Sequence, residues 1–142
     1  MINQYDNPKN AEAHYLISGP EIWRQMGGKV DYFVASGSTG GTVSSVGRYL
    51  KEQNFDLKVL MPDPIGSTYY TYFKTGQIDE SEIVLYQVEG IGEDHIAQCI
   101  DFTVIDKMVQ FNDDDAFTMT RRPAASADIL AGGSSAPICS VA

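Results

Sequence analysis

The chain has 142 residues, 43% of them hydrophobic and 11% aromatic, which is single-domain size and argues against disorder. A formal charge of -9, with Lys and Arg scattered singly, argues against nucleic acid and anionic membrane as partners, because no basic face exists to neutralise rows of phosphates. No apolar run is long enough to span a bilayer, Met1 to Asp6 lacks the regions of a signal peptide, and Cys99 and Cys139 have no partners at metal-ligand spacing, so a cytoplasmic protein with two buried thiols and no bound metal is expected.

In chain order, Asn7-Pro8-Lys9-Asn10 is turn chemistry, followed by a short helical piece around Ala11 to Tyr15. Gly19 to Gly28 reads as a separate helix with Pro20 at its start, Glu21 in its first turn, glycines at its stop, and Ile22, Trp23 and Met26 facing the core. Val30 to Ala35 is the first buried strand, and Thr42 to Gln53 a helix with Val43, Val46, Tyr49 and Leu50 on one stripe. Between them lies Ser36-Gly37-Ser38-Thr39-Gly40-Gly41, a loop of glycines and hydroxyls running into a helix start. Small residues there let a ligand approach the backbone, and free N–H groups with the helix dipole behind them suit a phosphate. Neither a Gly-Lys-Ser/Thr nor a GxGxxG spacing is present, so the two common nucleotide loops are set aside. An ordinary tight turn between strand and helix explains the loop as well, taken alone.

Leu57 to Pro62 is a second strand, ended by Pro62-Asp63-Pro64 and Gly66, and the order strand, helix, strand implies a parallel pair with both strands interior. Tyr69 to Gly76 is a short aromatic helix suited to core or interface. Ile83 to Val88 reads as a third strand closed by Gly90-Ile91-Gly92, so that strand ends and glycine loops converge on one crevice. Thr103 to Val109 resembles a short helix. Asn112 caps the next, whose Asp113-Asp114-Asp115 are read as dipole compensation rather than as a metal site, with Phe117 and Met119 packing inward. Pro123 is expected to interrupt that helix. Ile129-Leu130-Ala131 is a fourth apolar segment, and a last helix begins near the C-terminus, as though the chain were cut there. The architecture expected is α/β, a three-layer unit around a mostly parallel sheet of three or four strands.

With these pieces in order, the chain resembles the cystathionine beta-synthase and cysteine synthase family of pyridoxal-phosphate enzymes, whose fold is that of tryptophan synthase beta chains. The resemblance is carried by Asn7-Pro8-Lys9-Asn10 through His14-Tyr15, Gly19-Pro20-Glu21-Ile22-Trp23, Thr39-Gly40-Gly41-Thr42, Gly47 to Glu52, Asp63-Pro64 with Gly66-Ser67, Val88-Glu89-Gly90-Ile91-Gly92 and Gly132-Gly133-Ser134-Ser135. Val88 to Phe117 is similar to cystathionine beta-synthase more than to cysteine synthase. By position, the resemblance implies that Ser38, Thr39, Gly40, Gly41 and Thr42 hold the phosphate of pyridoxal 5'-phosphate. Gly90 and Gly92 would lie beside its ring, and Ser134 would bond the pyridine nitrogen. The implied reaction of a full-length parent, expected as a homodimer, is replacement of the β-substituent of serine or an acylated serine by a thiol.

Residues 1–142 are expected to be a partial catalytic domain. Lys9, Lys29, Lys51, Lys58, Lys74 and Lys107 fit no motif for the cofactor lysine, which the family carries in an N-terminal half, so the isolated chain is expected to be inactive. The alternatives are a fragment of a cysteine synthase, or a non-catalytic paralogue that binds an anion or pairs with an active subunit. Ser38 stands where the family's loop usually has glycine, so its β-carbon is a possible source of strain.

Overall fold

A computed structural model of the chain describes residues 2–141, apart from the side chain of Val141. Three parallel strands form its sheet in the order β1-β2-β3: Tyr32–Val34, Lys58–Pro64 and Lys107–Phe111. Tyr32 pairs with Lys58 and Leu60 with Lys107, which leaves β2 in the centre. The helices are α1 (Pro8–Ala13), α2 (Gly19–Gln25), α3 (Gly41–Gln53), α4 (Thr68–Thr75), α5 (Asp113–Ala127) and α6 (Ala136–Val141). α3 and α6 pack on β2, and α4 packs on β3.

The stripe expected on α3 is what fastens it to the sheet. Val43, Val46 and Leu50 are fully buried against Val59 and Met61 of β2, with Leu57, Tyr69, Ile105 and Met108 completing the core. Each such side chain contributes roughly 1.5–3 kcal/mol of transfer free energy. α4 has the limits its sequence implies: the Ser67 hydroxyl accepts from the Tyr69 amide at its start, and Gly76 ends it in the left-handed region. Its aromatic side chains serve the core, with Tyr69 buried and Tyr70 and Phe73 packed against that cluster.

Several expectations are corrected. α1 does not stop before α2: one π-helical turn, His14–Ser18, joins them into a continuous run, with the Gly19 amide bonded to the His14 carbonyl. That turn absorbs Pro20, which has no N–H to continue the regular ladder. Ile22 and Trp23 pack on the core, but Met26 is exposed. β1 is shorter than Val30 to Ala35 and lies at the sheet edge among the described residues, with Tyr32 64% exposed, so it is not interior.

β2 runs through Pro62 and Pro64 rather than ending there. The Lys58 amide donates to the Asp31 carbonyl and the Leu60 carbonyl accepts from Ala35, so alternate residues from Lys58 onward face β1. Pro62 and Pro64 fall on that side but beyond Leu60, where β1 has stopped pairing and no donor is required.

Ile83 to Val88 is not a strand. The amides of Gln87 and Val88 donate to the Asp113 carboxylate instead of to a neighbouring strand. The third strand is β3, which overlaps the end of the segment expected to be a helix from Thr103 to Val109; only Phe102–Val104 forms a 3-10 turn. Nor is Ile129 to Ala131 a strand, and Ile129 and Leu130 are exposed. α5 continues through Pro123 to Ala127, held by packing against α6, and stops where Asp128 takes a φ of 55°. Asn112 caps it as expected, accepting from the Asp115 amide, and Phe117 packs on a smaller cluster of Val88, Ile91, Phe111 and Ala116. Cys99 is buried, but Cys139 is exposed.

Phe55, Leu85 and Leu130 are almost wholly exposed, and β1 presents a sheet edge. The isolated chain is therefore expected to self-associate as concentration rises. A single monomeric species in sedimentation velocity across a hundredfold concentration range, on the order of that needed to populate weak contacts, would contradict this.

Candidate functional site

The loop between β1 and α3 is shaped by close packing on both sides. Gly40, the residue before α3, has a φ of 82°, and a β-carbon there would lie 2.3 Å from Cβ of Ile100 and 2.5 Å from its Cα. A β-carbon on Gly41 would meet Oδ1 of Asn10 at 2.2 Å. Asn10 in turn donates through Nδ2 to Thr39 Oγ1 at 3.0 Å and to the Gln4 carbonyl at 2.8 Å, so the N-terminal helix braces the loop. The π-helical turn sets His14 against α3: Nε2 lies 3.3 Å from Thr42 Oγ1, and Nδ1 lies 3.0 Å from Ser18 Oγ.

Opposite, the second glycine loop is fastened to the first. The Gly92 amide donates to the Gly37 carbonyl at 2.6 Å, Tyr69 Oη donates to the Ser38 carbonyl at 2.5 Å, and Ser38 Oγ donates to Glu93 Oε1 at 2.5 Å. Burial, followed by the Glu93 charge, pushes the Tyr69 phenol well above its ordinary range, which keeps it a donor.

Gly40 has no side chain to cap the helix, and Thr39 Oγ1 reaches the Gly41 amide only at 3.5 Å, so the first amides of α3 are weakly engaged and carry the positive end of the dipole. Over them opens a cavity of about 500 Å³, with Ser38, Thr39, Gly40, Thr42 and Gly90 in its lining. Gly90 has a φ of 77° and no atom within 4 Å of where a β-carbon would sit, so that wall has room for a flat group. These five are the sequence-predicted residues that the fold brings together.

The other three stand apart. Gly41 is turned against Asn10, and Gly92 is packed on Pro64 and Tyr86. Ser134 lies half-buried in the Gly133–Ser135 turn ahead of α6, which reaches the cavity through Ile138 instead. Ser38 carries no left-handed strain: among the described residues Asp128 is the one non-glycine with positive φ. Sequence reasoning assigned no role to Gln4, His14, Ser18 or Ser36, which also line the cavity, nor to Asn10 and Glu93, which hold the loop. Nothing in local periodicity marks Asn10, His14 or Glu93, which act across 28 to 55 residues.

Below the site, Asp63 sits at the carboxyl end of β2. It is fully buried; Oδ2 accepts from the Tyr70 amide at 3.0 Å, and Oδ1 has no partner. Burial pushes its pKa up to about 7, against the lowering effect of the nearby Ser67 hydroxyl and of the hydrogen bond from the Tyr70 amide.

Residues 1–142 match the family model described as "Pyridoxal-phosphate dependent enzyme". The chain belongs to this family. Within it, the chain is 40% identical over 135 residues to the cystathionine beta-synthase of Apis mellifera, covering 95% of this chain and 26% of that protein. It is 39% identical over 142 residues to the cystathionine beta-synthase of Rattus norvegicus, covering 100% of this chain and 25% of that one. With cysteine synthase 3 of Caenorhabditis elegans the identity is 36% over 134 residues, 94% of this chain and 37% of the other. The chain thus spans about a quarter of the length of the synthases it matches best among these. The resemblance read from its loops and the α/β fold with a parallel sheet are those of the family, whose cofactor is pyridoxal phosphate. Among the described residues, no helix is long and apolar enough to cross a membrane.

Proposed function

We propose that this chain forms the phosphate-binding wall of a pyridoxal-phosphate lyase or synthase. The parent reaction would replace the β-substituent of serine or an acylated serine with a thiol, in a cytoplasmic homodimer. The observation that carries the reading is the 500 Å³ cavity over the uncapped start of α3, lined by Ser38, Thr39, Gly40, Thr42 and Gly90. These residues fit the phosphate end of the cofactor: amides and hydroxyls against which only the long contact of Thr39 Oγ1 to the Gly41 amide competes, and an open wall at Gly90. Asn10 and His14 keep Thr39 and Thr42 in place. Bound there, the cofactor would supply the electron sink for elimination and addition at the β-carbon.

The chain alone is proposed to be inactive as a partial catalytic domain. Among the described residues no lysine lines the cavity; Lys51 and Lys58 pair with Asp106, Lys9 with Glu12, and Lys74 lies near the Tyr70 and Phe73 rings. A role as a non-catalytic dimer partner is the second reading, favoured by the exposed apolar side chains Phe55, Leu85 and Leu130.

Thr42→Glu tests the cup. Gly41 is unsuitable for this purpose because it has no room for a β-carbon, whereas Thr42 is exposed and an acid in the first turn favours the helix. The variant should fold, yet bind pyridoxal phosphate about tenfold or more weakly by calorimetry, through repulsion of the phosphate dianion. Pyridoxal, which lacks the phosphate, should be unaffected. Equal phosphate-ester affinity in the two proteins rejects the assignment.

A further inference from the structure

The three hydroxyls of the cup are not equivalent. Thr39 Oγ1 accepts from Asn10 and keeps its own proton to give, and Thr42 Oγ1 shares its contact with a histidine nitrogen. Ser38 has one hydroxyl proton, and Glu93 Oε1 takes it. A phosphate entering the cup therefore finds Ser38 already spent, with a carboxylate behind it.

Glu93 is held firmly in that position. Its amide donates to Ser67 Oγ at 3.2 Å, and its carbonyl accepts from the Thr68 amide at 2.8 Å and from Thr68 Oγ1 at 3.1 Å, so the start of α4 clamps its backbone. The adjoining Gly92 amide is bonded to Gly37, one residue before Ser38. The side chain is 16% exposed, and its second oxygen lies 3.8 Å from His95 Nδ1. Asp94 shares that histidine at 2.9 Å, so the imidazole cannot serve Glu93 alone. A carboxylate in so fixed a place acts on the cup as a standing charge, weakly screened because it is largely out of water.

We propose that Glu93 is a specificity-determining residue of the cup: by holding Ser38's proton and placing a charge behind it, Glu93 sets how tightly the cup holds the phosphate dianion, weakening that hold relative to a neutral partner at the same place. This rests on the phosphate reading of the site and adds its regulation by a residue outside the cavity lining.

The test is titration of pyridoxal phosphate, inorganic phosphate and pyridoxal into the wild-type chain, Glu93→Gln, Ser38→Ala and the double variant. Glu93→Gln keeps the shape and the backbone clamp while removing the charge, and should bind both phosphate-bearing ligands about tenfold more tightly, with pyridoxal unchanged. Ser38→Ala alone should alter phosphate affinity by less than about twofold, because its hydroxyl is already engaged. In the double variant the gain should shrink to about threefold, as the freed hydroxyl is no longer there to donate. Unchanged phosphate affinity in Glu93→Gln, or an equal gain for pyridoxal, overturns the proposal while leaving the cup assignment intact. If no variant binds either phosphate ligand, the cup assignment itself falls, and this proposal with it. Glu93→Ala is the second variant: misfolding of both, by circular dichroism, makes the pair structural and also overturns it.

Discussion

Replacing Gly40 by alanine is expected to lower the unfolding free energy by about 3–5 kcal/mol, on the order of a third or more of a typical domain's stability. Two effects combine. The φ of 82° places any other residue in the left-handed region, at about 1–2 kcal/mol, and the added β-carbon would fall 2.5 Å from a backbone atom of Ile100. Ile100 has nowhere to retreat, because its amide is bonded to the Ala97 carbonyl at 3.3 Å and the next amide, Asp101, is bonded to Ser44 Oγ at 2.8 Å. Gly27→Ala is the control: its φ is 63°, but nothing lies within 4 Å of the new atom, so backbone strain acts alone at about 1 kcal/mol. Urea denaturation of both variants checks the difference. Equal losses would show that packing against Ile100 contributes nothing.

Asp63→Asn is expected to stabilise the chain at pH 8 by about 2–4 kcal/mol. The unfolded chain releases this proton near pH 3.8, while the native state holds it until about pH 7. Between those values the native state binds more protons than the unfolded state, so this group's contribution to stability is fully present below pH 3.8 and falls as pH rises through 7. Above pH 7 the native chain carries a buried carboxylate whose Oδ1 has no partner, and the amide removes that charge. Asparagine keeps an acceptor for the Tyr70 amide, and its NH₂ group replaces an oxygen that in the acid also lacks a partner. The advantage should therefore shrink on going to pH 5 and nearly vanish at pH 4. Parallel stability curves for the two proteins across pH 4 to 8 would mean that Asp63 is ionised throughout.

The sequence by itself determined the parts of this protein whose causes are local. α3 could be read because its apolar stripe repeats at helical spacing, α4 because Gly76 ends it, and the start of α5 because Asn112 caps it. The glycine and hydroxyl loop was likewise visible, since a chain that turns at Gly40 and uncaps a helix needs those residue types.

Tertiary structure alone decided which apolar segment became the third strand. Ile83 to Val88 and Lys107 to Phe111 are both short, apolar and rich in β-branched or aromatic residues, and nothing local separates them. The choice was made by partners distant in the chain: Asp113 takes the amides of Gln87 and Val88, while β3 finds the free edge of β2 some fifty positions earlier. The same holds for the prolines. Pro62 and Pro64 sit inside a strand because β1 ends before it would need their missing donors, and Pro123 sits inside a helix that α6 holds in place. For the site, the sequence supplied the cup but not its walls. Asn10, His14 and Glu93 act on Thr39, Thr42 and Ser38 across 28 to 55 residues, and only folding brings such groups within hydrogen-bond reach.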